Sequence, residues 1–173
     1  LGFIRSGAEL EYLENEHMTE EWEQYAIVAN AASTFSLVGL IWFVQLVHYP
    51  LFAQVGTACF ADYHAAHTRW TTAVVFLPMV TELTTAAALA WRPPTERLAF
   101  WCQLGLFLVV VIWISTAWLQ VPRHRVLSQS FNASIHRELV LTNWLRTAAW
   151  TARGLICLFI LAQCHFGVTP RGS

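Results

Sequence analysis

Trp70-Thr-Thr-Ala-Val-Val-Phe-Leu-Pro-Met-Val-Thr-Glu-Leu-Thr-Thr-Ala-Ala-Ala-Leu-Ala-Trp91 is an apolar run with a tryptophan at each end and one charge, Glu82. A helix rises about 1.5 Å per residue, and about 20 apolar residues cross a hydrocarbon core of about 30 Å. Tryptophan prefers the headgroup layer, so the two indoles mark where this run enters and leaves a bilayer. Residues 26–48, 98–120 and 144–165 meet the same test. Trp101 and Trp118 bracket the third run, and Trp144 opens the fourth. The Arg92-Pro-Pro-Thr95 turn joins the second and third tightly, whereas residues 48–70 and 120–144 form longer connections. The expected fold is all-α: an integral membrane, antiparallel four-transmembrane-helix bundle spanning residues 25–166. Residues 1–24 form an acidic N-terminal leader or surface helix, and 167–173 a C-terminal tail.

Composition agrees. Of 173 residues, 56% are hydrophobic and 12% charged, about half the charged share of a soluble domain. The net charge of −1 argues against a nucleic-acid partner, leaving membrane lipids as the expected surroundings. Acids crowd the leader, from Glu9 to Glu23. No signal peptide is evident there, and Met18 is a candidate natural start. All ten basic residues are arginine, so chemistry that needs a lysine Schiff base is excluded. Cys59, Cys102, Cys157 and Cys164 form no CxxC pair, and three of them lie in apolar runs where a thiol acts as a small hydrophobe.

Up-and-down connectivity brings the end of span one, the start of span two, the end of span three and the start of span four to one side. His48, His64, His67, His124 and His136 then share a membrane face, and His17 and His165 lie at the other. Arg69, Arg123, Arg125, Arg137 and Arg146 are on the histidine side, against Arg5, Arg92, Arg97 and Arg171. The positive-inside rule leans toward a cytoplasmic histidine face.

Steps of three and four residues mark one face of a helix. On span two they join His64, His67, Thr71, Pro78, Glu82 and Thr85. On span four they join His136, Asn143, Arg146, Trp150, Arg153 and Cys157. Span three contributes Gln103, Trp113, Gln120 and His124, if Pro122 bends the helix without ending it. Span one contributes Thr34, Gln45 and His48. Lipid cannot satisfy such stripes, so they turn toward one another and enclose a polar interior.

Glu82 lies nine residues from Trp91, and Arg153 nine from Trp144. Both are therefore about 13–14 Å deep, measured from opposite interfaces. An isolated charge there costs at least about 2.5–3.5 kcal/mol, and matching depth predicts an ion pair. The pair can serve packing alone, or it can close a polar interior and relay protons.

A single interfacial histidine is usually a hydrogen-bonded packing residue. Five on one face, with His64-Ala-Ala-His67 presenting two imidazoles from one helix, point to a metal site. Nearby carboxylates are few, Asp62 and Glu138, so an imidazole-rich set suits iron, copper or zinc better than magnesium or calcium. Two opposed histidines in an aromatic interior would alternatively hold haem b. The arginines are either headgroup contacts or an anion site, and Arg146, on the inward stripe, is the one best placed for the latter. Tyr49 and Tyr63 flank the histidines as potential hydrogen-bond donors. Asn132 reads as a helix N-cap.

The stretches Val44-Gln-Leu-Val-His-Tyr-Pro-Leu-Phe52, Tyr63-His-Ala-Ala-His-Thr-Arg69 and Thr142-Asn-Trp-Leu-Arg-Thr-Ala-Ala-Trp150 resemble signatures of a bacterial family of uncharacterised four-helix integral membrane proteins. The resemblance covers most of residues 25–165 and implies a multi-pass protein of the bacterial inner membrane. In size and helix number the chain is also distantly similar to anthrone-oxygenase-like membrane proteins. In outline it is similar to membrane di-iron hydroxylases, whose HxxxH and HxxHH runs it lacks.

Three functions stay open. The first is a metal-dependent oxidoreductase acting on a small lipophilic substrate, with His48, His64, His67, His124 and His136 as ligands and Glu82, Arg146 and Arg153 as catalytic charges. The second is a haem-binding electron-transfer subunit. The third is a non-catalytic accessory or structural subunit of a homo-oligomer or larger membrane complex. The topology has its own test. Cysteines placed at positions 48–67 and 122–140 should label from one side of the membrane, and those at 92–97 from the other. Labelling of the two longer connections from opposite sides would remove the shared histidine face.

Overall fold

The computed structural model describes residues 7–166, all of whose regular structure is helical. Four helices are long and apolar enough to cross a membrane: Glu21–Gln54, Phe60–Trp91, Glu96–Leu127 and Ala133–Cys164. Each of the last three is joined to its predecessor by a short turn. The first helix begins at Gly7 and runs unbroken to Phe43, so the leader's backbone continues directly into the first span.

The histidine end departs from expectation in one respect. The connections expected at 48–70 and 120–144 are largely helical, leaving only 55–59 and 128–132 irregular. The second helix starts at Phe60 and the fourth at Ala133, which places His64, His67 and His136 on regular helix. Helical hydrogen bonding does not depend on hydropathy, so the length of an apolar run underestimates helix length. Asn132 caps the fourth helix as expected, its Oδ1 accepting from the Ile135 amide at 3.0 Å.

The first and third helices share a second device. Each passes through a π-helical turn, Val44–His48 and Thr116–Gln120, and then meets a proline, Pro50 or Pro122, in second place of the next segment. Proline lacks an N–H and its ring crowds the carbonyl four residues back. A π turn widens the backbone there, and the helix survives the proline. Arg123 assists by donating from Nη1 to the Leu119 carbonyl at 2.7 Å.

The exterior is unusually apolar and the interior includes polar side chains among its apolar ones. Trp70, Phe76, Leu77, Trp91, Trp118 and Leu155 are exposed, while Asn30, Thr34, Gln45, His64, Asn143 and Thr147 are buried. An exterior of this kind fits hydrocarbon, and an interior of this kind requires internal partners.

Those partners centre on the deep charges. Arg153 Nε stands 3.5 Å from Glu82 Oε1, and both side chains are almost wholly buried. Glu82 also accepts from Thr34 Oγ1 at 2.8 Å and from Trp150 Nε1 at 3.1 Å. Arg153 donates to Asn30 Oδ1 at 2.8 Å, and Asn30 Nδ2 donates to Thr85 Oγ1 at 2.8 Å. The third helix contributes space: a Cβ on Gly105 would collide with Arg153 Nη1. The expected ion pair therefore forms, and all four helices share in it.

Replacing Glu82 by Gln should strand a buried guanidinium and lower stability by about 3–5 kcal/mol. Replacing Arg153 by Gln as well should restore much of that loss, read as unfolding in detergent. Losses that simply add would show that the two side chains are not energetic partners.

Candidate functional site

Four of the five expected histidines converge. His48 Nε2 lies 2.7 Å from His67 Nδ1, and His64 Nε2 lies 3.0 Å from His124 Nδ1. Ring centres are 4.5 Å apart for the first pair and 5.1 Å for the second. The pairs themselves touch, with His67 5.8 Å from His124 and 6.1 Å from His64. Three helices supply this cluster, and the stagger of His64 and His67 on one helix lets each reach a different neighbour.

Each nitrogen pair needs one N–H and one lone pair. His67 Nδ1 is also approached by Thr71 Oγ1 at 3.1 Å. An Nδ1 lone pair accepting from both would put the His67 proton on Nε2 and make His48 the donor. His64 is fully buried, and its Nδ1 has no hydrogen-bond partner. Such an unpaired buried nitrogen costs about 1–3 kcal/mol.

Tyr49 and Phe52 hold the cluster from below. The Tyr49 hydroxyl is 2.9 Å from His124 Nε2. Phe52 is completely buried and meets His48, His64 and His67 edge-on, at 5.3, 5.6 and 5.0 Å between ring centres. Sequence reading noted Tyr49 as a flanking donor and missed Phe52. Its only signal is its place two residues after Pro50, where the chain turns back under the histidines.

His136 has a different place. Its Nε2 donates to the Tyr49 carbonyl at 2.7 Å, and its ring rests on Phe131 and Phe52. It steadies the backbone that carries Tyr49, and that nitrogen points at a carbonyl instead of another imidazole. His17 lies on the first helix, but its side chain and that of His165 are outside the described residues.

The candidate catalytic charges separate. Arg146 borders the histidine cluster: it donates to Asn143 Oδ1 at 3.1 Å, lies 5.1 Å over the Trp150 ring, and leaves Nε buried without a partner. Glu82 is fifteen residues beyond His67 on the same helix, about 22 Å along its axis. The Glu82–Arg153 pair is thus a distinct, sealed layer. Trp150 joins the two, with its indole N–H on Glu82 and its ring under Arg146.

Two cavities reach the cluster. The larger, about 540 Å³, lies between the second and third helices, bordered by Tyr49, His67, His124, Gln120, Arg146 and Met79. The smaller, about 260 Å³, lies between the first and second helices beside His48, His67 and Trp70. His67 and Thr71 form the wall common to both. Gln120 Oε1 is buried without a partner at the edge of the larger one.

Among the described residues no three His, Cys, Asp or Glu side chains aim their donors at one point. The imidazoles are instead spent on one another in pairs. The four cysteines are free thiols, and only Cys59, in the first short turn, is exposed. Comparison with protein-family models, with curated proteins and with solved structures finds no match to this chain.

Proposed function

We propose that this chain is a multi-pass protein of the bacterial inner membrane, an antiparallel bundle whose histidine layer binds a transition metal and acts as an oxidoreductase on a small lipophilic substrate. The observation that carries the reading is the cluster of His48, His64, His67 and His124, with adjacent ring centres 4.5 to 6.1 Å apart beside a cavity of small-molecule size.

An imidazole bound at about 2.0–2.1 Å has its ring centre about 3.2 Å from the ion, so neighbouring ring centres stand about 4.5–5.2 Å apart. The two hydrogen-bonded pairs, at 4.5 and 5.1 Å, fall in that range. His67 to His124 and His67 to His64, at 5.8 and 6.1 Å, exceed it by less than 1 Å. Nitrogens sharing a tetrahedral ion stand about 3.3 Å apart, compared with 2.7 and 3.0 Å here. Ligation then needs the paired rings to part by about half an ångström and to turn their lone pairs to a common centre. Neutral imidazoles favour copper, iron or zinc, and a redox role selects the first two.

The protein's own groups have definable tasks around such an ion. Tyr49 orients His124 through its hydroxyl, and His136 fixes the Tyr49 backbone, the outer support that metal-bound imidazoles require. Arg146 supplies positive charge at the edge of the substrate cavity. The Glu82–Arg153 layer closes the polar interior toward the middle of the bundle.

Haem fits the same residues less well. Axial imidazoles must stand on opposite sides of a flat macrocycle, and these rings are already within hydrogen-bond distance of each other. A non-catalytic bundle would account for the polar stripes, but leaves the buried His64 Nδ1 without a hydrogen-bond partner.

Metal analysis and absorption spectra of the purified protein test the proposal. Wild type should carry stoichiometric copper or iron with no Soret band. Alanine at His64 or His67 should remove almost all of it, and alanine at His48 or His124 most of it. His136→Ala should lower occupancy only partly, since it acts through Tyr49. A Soret band would establish haem instead, and a folded wild-type protein that takes up no metal would leave the accessory role.

A further inference from the structure

The larger cavity has a pronounced charge asymmetry. Arg69, Arg125 and Arg146 all border it, and no aspartate or glutamate does. Arg146 is the inner one. Its Nη1 is satisfied by Asn143, but Nε is buried with no acceptor. Two acids that flank it along the bundle are already committed, Glu82 to Arg153 at 3.5 Å and Glu138 to Arg123 at 3.1 Å. A guanidinium removed from water is costly unless a counter-charge reaches it.

The remainder of the lining is graded. Arg146 lies two residues inside Trp144, close to the membrane interface, and Met79 lies nine residues inside Trp70. Val75 and Met79 form the deep wall, while Thr72 and Val121 are exposed where the cavity opens sideways between the second and third helices. Head charge at the interface with apolar depth below it is the profile of an amphiphile lying parallel to the lipid chains.

We infer that this cavity binds a single-chain amphiphile with a carboxylate head, the carboxylate on Arg146 and the hydrocarbon tail along Val75 and Met79 toward the bilayer. Arginine holds a carboxylate through parallel N–H donors, and Arg146 brings a guanidinium to this lining. His67 and His124 border the same cavity and so lie within reach of the bound head. The inference names a substrate class for the proposed metal site and rests on that reading for any chemistry, although the binding itself needs no metal.

Equilibrium binding of radiolabelled palmitate to the full chain in a neutral maltoside detergent tests it, with and without a chelator. Palmitate should bind saturably, and the matching long-chain alcohol and trimethylammonium compounds should compete at least about tenfold less well. Arg146→Gln should weaken palmitate by about ten- to hundredfold, the loss expected for a charge-assisted bond. Thr72 is exposed at the mouth, so Thr72→Trp should block entry without disturbing the folded core, with thermal unfolding as the control. Equal binding of the alcohol, unchanged affinity in a folded Arg146→Gln protein, or unchanged affinity in Thr72→Trp would each overturn the inference. Competition by phosphatidylglycerol on a par with palmitate would also overturn it, by showing a general headgroup site. Chelated or metal-free protein that still binds palmitate through Arg146 would support this inference even if the metal reading fails. A metal-loaded protein indifferent to palmitate would show the reverse.

Discussion

Glu82 faces Arg153 at 3.5 Å while accepting from Thr34 and Trp150, and Arg153 continues through Asn30 to Thr85. Away from water these groups have no other partners, so none has an acceptable place except against the others. The network draws the first, second and fourth helices together, and Gly105 lets the third close over it. Rotation of the second or fourth helix would pull a charge out of the pairing, and rotation of the first would remove its hydrogen bonds. The ion pair therefore matters for specifying how the helices face one another, even where its net contribution to stability is modest. Everything nearer the histidine end inherits its orientation from this layer.

Between that layer and the histidines the helices are altered by design. Gln45 sits in the π turn of the first helix and accepts from Asn143 and Thr147, at 2.8 and 3.4 Å. Gln120 ends the π turn of the third and donates to Thr142 at 3.1 Å. Each π turn thus places a buried amide against the fourth helix, and each is followed by a proline that carries the chain onward at a new angle. Tyr49 and His124 are delivered by these two re-aimed segments and meet at 2.9 Å. Widened turns of this kind are frequent at functional sites, where a regular helix would point the side chain elsewhere.

The histidine cluster combines strong local order with incomplete satisfaction. Phe52 fills the space beneath three imidazoles, and Tyr49 and His136 fix the turn that carries them. Yet the His64 Nδ1, the Gln120 Oε1 and the Arg146 Nε remain buried without partners. Native interiors satisfy nearly all their buried polar atoms. Gln120 and Arg146 border the larger cavity, and Trp113 Nε1, Arg123 Nε and Arg153 Nε are likewise without a hydrogen bond.

Several features were legible from residue order because they depend on depth alone. A fixed rise per residue set the four spans, put Glu82 and Arg153 at one level, and brought five histidines to one face. The three-residue spacing of His64 and His67 placed both on one side of a helix whatever its neighbours did. Rotation about each helix axis was less accessible. An extra residue in a π turn shifts every later side chain by about 100°, and neither Val44–His48 nor Thr116–Gln120 announces itself except through a following proline. For that reason only the tertiary structure decided that His124 enters the cluster while His136 turns to the Tyr49 carbonyl. It alone brought Phe52 beneath the imidazoles and opened a cavity beside Arg146. Depth is written along one chain, whereas azimuth is settled by four helices packing at once.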